Sequence, residues 1–178
     1  PWFGRWGRDT FISLPGLCIA LDDWRMFRLA IDTMIDDFKD GFFPNIGEGT
    51  QAAYNSIDAP LWFFWALQQY AYINDARKEV WQAYNGVMRS ILENFSEGSV
   101  NVRMDSNFLL WQGEEGKALT WMDAIVNDTP VTQRKGYAVE INALWYNAVM
   151  FYRELAKLQC QDGEIAKWDE FAENFPTN

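Results

Sequence analysis

Trp24-Arg25-Met26-Phe27-Arg28-Leu29-Ala30-Ile31-Asp32-Thr33-Met34-Ile35-Asp36-Asp37-Phe38 is the stretch that decides the fold class. Its apolar positions Trp24, Phe27, Ile31, Met34, Ile35 and Phe38 recur at i, i+3, i+4, i+7 spacing, and Asp32, Asp36 and Asp37 occupy the opposite face. That spacing lays an apolar stripe along one side of a helix and turns the acids to solvent. The acidic run from Asp32 to Asp37 therefore reads as a solvated face. Asp22 or Asp23 supplies the N-cap, a side-chain oxygen for backbone N–H groups that otherwise lack a partner. Gly41 closes the segment.

The same pattern extends outward. Residues 10–21 predict a shorter apolar helix disturbed by Pro15-Gly16, with Pro15 in a first turn or at a kink because it brings no N–H. Residues 58–73 predict a helix that tolerates Pro60 at its start, Asn74-Asp75 a tight corner, and 76–95 the next helix. Gly98, Gly113 and Gly116 punctuate residues 96–117, where 100–102 and 108–111 predict a short hairpin. A short helix is expected over 119–126 and a last one over 164–175. Between them, residues 137–158 form a long helix with Ile141, Leu144, Trp145, Ala148, Tyr152 and Leu155 on one stripe. The fold class is all-α, with six to seven helices and a β-hairpin near 100–111. Three connections, 1–9, 41–55 and 96–117, are long and rich in Gly, Asn, Trp and acids. Loops of that length are functional or disordered, and disordered segments avoid Trp and Phe, so these read as ordered rims of a site. Trp62, Phe63, Phe64 and Trp65 read as core.

Composition narrows the chemistry. The 178 residues suit one domain, and they carry 15 Lys+Arg against 25 Asp+Glu, a net charge of -10. Nucleic acid is excluded as a partner because phosphate binding needs clustered bases. There is no histidine, which removes Ser-His and Cys-His nucleophile pairs and imidazole metal sites. Cys18 and Cys160 lie far apart in apolar patterns and read as buried free thiols of a reducing compartment. The most apolar run, residues 57–67, is about half of the ~20 residues a membrane span needs, so no membrane is expected. A chain that opens on Pro1 and stops in polar sequence at Asn178 reads as a piece of a longer protein.

Four segments bring acids beside aromatic or amide side chains where a loop enters a helix: residues 4–10, 54–62, 119–124 and 135–142. That mixture suits a sugar, whose ring offers an apolar face to Trp or Tyr and whose hydroxyls pair with acids, amides and arginine. Blander readings stand beside it. Asp9-Thr10 and Asp58 also fit as N-caps, Arg8–Asp9 as a surface ion pair, and Asp123 as a cap or surface acid. Glu140 falls on the apolar side of its helix, where a carboxylate is costly unless paired. It is either the partner of a buried arginine or a site residue.

Taken in order, Trp6-Gly7-Arg8-Asp9-Thr10-Phe11-Ile12, Tyr54-Asn55-Ser56-Ile57-Asp58-Ala59, Thr120-Trp121-Met122-Asp123-Ala124 and Val139-Glu140-Ile141-Asn142-Ala143-Leu144-Trp145-Tyr146 resemble the glycogen-debranching amylo-α-1,6-glucosidases. The resemblance covers essentially the whole chain. It implies an (α/α)6 barrel with its site in the funnel of loops at one end, and residues 1–178 would be the N-terminal half of that barrel. It implies an inverting glycosidase that removes α-1,6-linked glucose from glycogen, limit dextrin or a branched α-glucan in the cytoplasm, with no cofactor and no metal. Inversion needs a protonated carboxyl for the leaving oxygen and an ionised one for water, about 6.5–9.5 Å apart. The resemblance assigns the acid to Asp123. Trp121 would be an apolar neighbour that helps such a group keep its proton. Trp6, Arg8 and Asp9 would hold the terminal glucose, Asn55 and Asp58 would flank the same ring, and Glu140 would join them.

One departure stands out. The family's general base is a Glu near the barrel's C-terminal end, and Glu48, Glu114, Glu115 and Glu140 carry no such motif. The base and the remaining helices, which would be this chain's partner, are expected beyond Asn178, leaving these residues inert alone. Three rival readings remain at this stage. They are a non-hydrolytic carbohydrate-binding module, a helical scaffold whose aromatics only build a core, and a related glucosidase or trehalase-like barrel.

Overall fold

The computed structural model describes residues 5–47, 52–99 and 101–175. Their helices are α1 (Gly7–Leu17), α2 (Trp24–Ile35), α3 (Asp58–Ile73), α4 (Arg77–Glu97), α5 (Val139–Leu158), α6 (Asp162–Lys167) and α7 (Asp169–Asn174). Two antiparallel pairs interrupt them: β1 (Val102–Met104) with β2 (Leu110–Gln112), and β3 (Ile125–Val126) with β4 (Thr129–Pro130). The fold is thus all-α with a short β-hairpin at the expected place, in register Val102↔Gln112. Val100, the expected start of that hairpin, and Glu48 lie outside the described residues.

Side-chain pairs fix the direction of each helix. Arg8, in the first turn of α1, meets Asp58 in the first turn of α3, and Phe11 meets Phe63 one turn further along both, with ring centroids 5.5 Å apart. Near the other end of α3, Tyr72 donates to Glu154 of α5 at 2.6 Å. Helices α1, α3 and α5 therefore run parallel, side by side. Tyr70, late in α3, donates to Glu79, early in α4, at 3.2 Å, so α4 runs the opposite way. Arg28–Glu79 and Tyr84–Asp32 contacts align α2 with α4, and Lys167–Glu93 aligns α6 with α4. The result is two layers: three parallel inner helices backed by oppositely running outer ones.

Residue type explains the layering. Ten of the sixteen residues of α3 are buried, from both sides of the helix, because it lies between its neighbours and the outer layer. Phe63 and Phe64 are fully buried, as expected of core residues, while Trp62 and Trp65 are half-buried and meet edge to face at 5.4 Å. A second aromatic centre forms around Trp145, with Trp168 and Phe171 each at 5.8 Å, and it seats α7 on α5. Among the described residues no helix is long and apolar enough to cross a membrane.

Several local expectations need correction. Asp23 caps α2, its carboxylate accepting from the Met26 N–H at 2.9 Å, but the helix stops at Ile35, short of Phe38 and Gly41. Asp32 and Asp37 are more than solvated acids: Asp32 accepts from Tyr84, and Asp37 pairs with Arg5. Pro15 sits in the last turn of α1, where its missing N–H weakens the helix just before a 3₁₀ turn at Ile19–Leu21. The helix expected over 164–175 divides at Trp168 into α6 and α7. Cys18 is buried, but Cys160 is exposed, because α5 ends at Leu158 and Cys160 lies in the turn beyond it with a left-handed φ of 55°.

The largest correction concerns residues 119–126, which form no helix. The chain runs irregularly through Asp123 into β3, and Asn127 and Asp128 take left-handed φ values of 51° and 59° before β4. Two consecutive left-handed residues make the turn that matches the twist of a tight hairpin, and Asn and Asp tolerate it.

Candidate functional site

Parallel packing of α1, α3 and α5 gathers their N-termini at one end of the molecule. Each first turn there presents unpaired N–H groups and the positive end of a helix dipole, a setting that favours carboxylates. Asp9, Asp58 and Glu140 all stand in those first turns.

Arg8 is the hub. Only 8% of it is exposed, and Asp58 is 1% exposed. The Arg8 Nε donates to Asp58 Oδ2 at 2.7 Å, Nη1 to Asp123 Oδ2 at 3.0 Å and Nη2 to Ser56 Oγ at 3.3 Å. Burial works against the guanidinium's charge, but the hydrogen bonds and charges of Asp58 and Asp123 outweigh it and raise Arg8 above its ordinary value. Ser56 also donates to Asp58 Oδ1 and accepts the Ala59 N–H at 3.3 Å. That serine, rather than Asp58, serves the open end of α3. Neither Asp58 nor Asp9 is an N-cap, and Arg8 is no surface ion pair with Asp9.

Asp123 differs from Asp58 in exposure, with 36% of its side-chain surface open. Its loop is held from two sides. The Leu119 carbonyl accepts the Ile57 N–H at 2.9 Å, and Arg8 holds the carboxylate itself. Asp9 is exposed, and its carboxylate takes no hydrogen bond among the described residues. Asn55 carries a buried Oδ1 with no hydrogen-bond partner among the described residues. Trp6 is half-buried immediately before α1.

A second ion pair completes the constellation. Arg134 grips both oxygens of Glu140, its Nη2 at 2.7 Å from Oε2, and its Nη1 reaches Thr120 Oγ1 at 3.5 Å. Arg134 also feels the charge of Asp58, which ties the two clusters together. Glu140 is the partner of an arginine, as the first of its two readings required. The hydrogen bond from Arg134 holds the Glu140 carboxyl below its ordinary 4.5 against partial burial, with a smaller contribution from Trp121. Trp121 itself is 54% exposed and leans toward Glu140.

Because folding lowers the Glu140 value, the folded state binds that proton less readily than the unfolded one. The pair therefore stabilises the protein above the ordinary value and loses that effect as pH falls. Glu140→Gln is expected to lower the thermal midpoint at about pH 7, with the deficit shrinking as pH falls through and below the ordinary carboxylate range. A deficit that stays constant across that range in pH-dependent melting would contradict the assignment.

Sequence reading did not single out Ser56 or Arg134. Ser56 lies two residues before Asp58, the place from which a hydroxyl reaches a helix's first N–H groups. Arg134 is the nearest arginine along the chain to Glu140, and Gln112 holds its backbone by donating to the Arg134 carbonyl at 2.7 Å. Asn142 in turn fixes the hairpin to α5, its amide bonding both the N–H and the carbonyl of Leu110 at 2.7 and 3.1 Å.

The family model described as amylo-alpha-1,6-glucosidase matches residues 1–178. The chain belongs to that family. It is also similar to a glycogen debranching enzyme of Saccharomyces cerevisiae (strain ATCC 204508 / S288c), 23% identical over 236 residues that take in 95% of this chain. The chain spans 15% of the length of that relative. Membership of the amylo-alpha-1,6-glucosidase family gives the Arg8 cluster a chemical context. Acids, amides and an indole at the mouth of a helical layer are side chains of the kind that can pair with sugar hydroxyls and stack on a sugar ring.

Proposed function

We propose that this chain is the N-terminal half of an (α/α)6 catalytic barrel, part of a glycoside hydrolase that removes α-1,6-linked glucose from glycogen or a related branched α-glucan. The observation that carries this reading is the convergence of Arg8, Asp58 and Asp123 at the end where three helices begin. A scaffold with an aromatic core has no need to bring two distant acids onto one buried arginine. Three parallel inner helices backed by antiparallel outer ones also match half of such a barrel, and the family membership supports the sugar chemistry.

In this mechanism Asp123 is the proton donor, and its Oδ2 is the oxygen held by Arg8. The proton passes to the glycosidic oxygen as the bond from that oxygen to the anomeric carbon breaks. A water, deprotonated by a second carboxylate, attacks that carbon from the opposite face. Glu140 has both oxygens engaged by Arg134, and we assign the base to the remainder of the parent protein. On that assignment these residues alone are inert. Asp9 serves as an acceptor for the hydroxyls of the bound glucose, Asn55 flanks the same ring, and Trp6 and Trp121 wall it. Arg8 acts through Asp58 and Asp123 rather than as a free hydroxyl ligand. The two free cysteines support a reducing, cytoplasmic setting.

The experiment is the anomeric configuration of glucose released from a limit dextrin by the full-length parent, followed by proton NMR in the first minutes. The β-anomer is the expected first product, because single displacement inverts an α-linkage. Initial release of the α-anomer would overturn the inverting mechanism.

A further inference from the structure

We propose that Arg134 and Glu140 are positioning residues, which hold Thr120 and Trp121 and thereby aim Asp123 at the departing oxygen without touching the sugar. Residues 119–124 form neither helix nor strand, so their own backbone does not fix where Asp123 stands. The segment is tied at its ends, where the Leu119 carbonyl accepts the Ile57 N–H and the Ala124 carbonyl accepts the Val131 N–H, both at 2.9 Å. Between these ends Arg8 Nη1 holds Asp123 Oδ2 at 3.0 Å. A single N–H to oxygen contact sets a distance and leaves the direction of the carboxyl open.

The missing constraint comes from the other side of the loop. Thr120 is 1% exposed, and the partner of its hydroxyl among the described residues is Arg134 Nη1 at 3.5 Å. Trp121 comes next and leans on the same pair, its side chain helping to hold the Glu140 carboxyl below its ordinary value. Arg134 and Glu140 thus grip the two residues that lead into Met122 and Asp123.

The pair can serve as a bracket because its own place is fixed. The Gly136 N–H donates to the Gln112 carbonyl at 2.7 Å and the Gln112 N–H to the Gly136 carbonyl at 3.1 Å, so the chain just after Arg134 runs along β2. The Gln112 side chain, fully buried, holds the Arg134 carbonyl itself. Glu140 stands in the first turn of α5, and Asn142 two residues on bonds the hairpin to that helix. Arg134 engages both Glu140 oxygens, and a bidentate pair fixes direction as well as distance. That suits a bracket better than a ligand that must follow a substrate. The demand for one is real, since a misplacement of about 1 Å can cost about 10²-fold in rate.

This inference rests on the reading of Asp123 as the acid, and the test separates the two. The full-length parent is assayed on a limit dextrin, whose oxygen leaves only with a proton, and on α-glucosyl fluoride, whose fluoride leaves without one. Arg134→Met and Glu140→Met are each expected to lower kcat on the dextrin about 10–10²-fold, with kcat on the fluoride within about threefold of wild type. In an Asp123→Asn background the same substitutions should change dextrin turnover less than about twofold, because no proton is left to aim. Thr120→Val strands no charge and should lower dextrin kcat about fivefold, the order of one hydrogen bond, with the same two features. It decides alone if thermal melting shows that the charge variants do not fold. Dextrin turnover within about twofold of wild type, equal losses on both substrates, or an undiminished loss in the Asp123→Asn background would overturn the proposal. So would a raised KM on both substrates at unchanged kcat, which would make the pair a sugar ligand. Where Asp123→Asn by itself does not distinguish dextrin from fluoride, the acid assignment falls and this inference with it.

Discussion

Asp123→Asn in the full-length parent is expected to reduce kcat on limit dextrin by about 10²–10⁴-fold, the usual contribution of a positioned proton donor. An amide keeps the shape and can still accept from Arg8 Nη1, which lies 3.0 Å from the carboxylate. Only the transferable proton is lost, so KM should change little. Activity within about tenfold of wild type would remove Asp123 from the acid role. The alternative reading of Asp123 as a surface acid predicts just such a small change, since exposed ion pairs contribute about 0–1 kcal/mol.

Arg8→Ala is expected to cost stability as well as activity. Asp58 is 1% exposed, and its nearest cation is the Arg8 Nε at 2.7 Å. Removing the guanidinium leaves that carboxylate buried with Ser56 as its remaining side-chain partner, a change that typically costs about 3–5 kcal/mol. The unfolding transition of the domain should fall accordingly in chemical denaturation. Arg8→Ala combined with Asp58→Ala should lose less than the sum of the single variants, because the stranded charge is gone. Strictly additive losses would show that the two side chains do not interact as described.

Much of the helical frame is legible in the sequence because local signals and packing agree. Residues 58–73 carry an apolar run closed by Asn74-Asp75, and α3 ends at Ile73 as that corner dictates. Where local signals conflict, the reading fails. Leu119 to Val126 is apolar enough to suggest a helix, but the turn chemistry of Asn127-Asp128 and the bond from Ile57 to the Leu119 carbonyl impose an irregular strand-like path. The candidate segments are legible as mixtures of acids and aromatics, whereas their wiring is not. Arg8 stands next to Asp9 in sequence, yet consecutive helical side chains diverge, and its partners lie 50 and 115 residues away. Pairings over that distance are set by how α1, α3 and the Asp123 loop dock. Glu140 shows the same limit: its helical position demanded a partner, and only the fold could show that Arg134 supplies it.

The most direct test of the central claim, that Asp123 protonates the departing oxygen, sets two leaving groups against each other in one variant. Fluoride departs without a proton, while the sugar oxygen of a dextrin departs only with one. Asp123→Asn should therefore hydrolyse α-glucosyl fluoride within about tenfold of wild type and lose about 10²–10⁴-fold on limit dextrin. Equal losses on both substrates would contradict the account, because they would place Asp123 in binding or folding rather than in proton transfer.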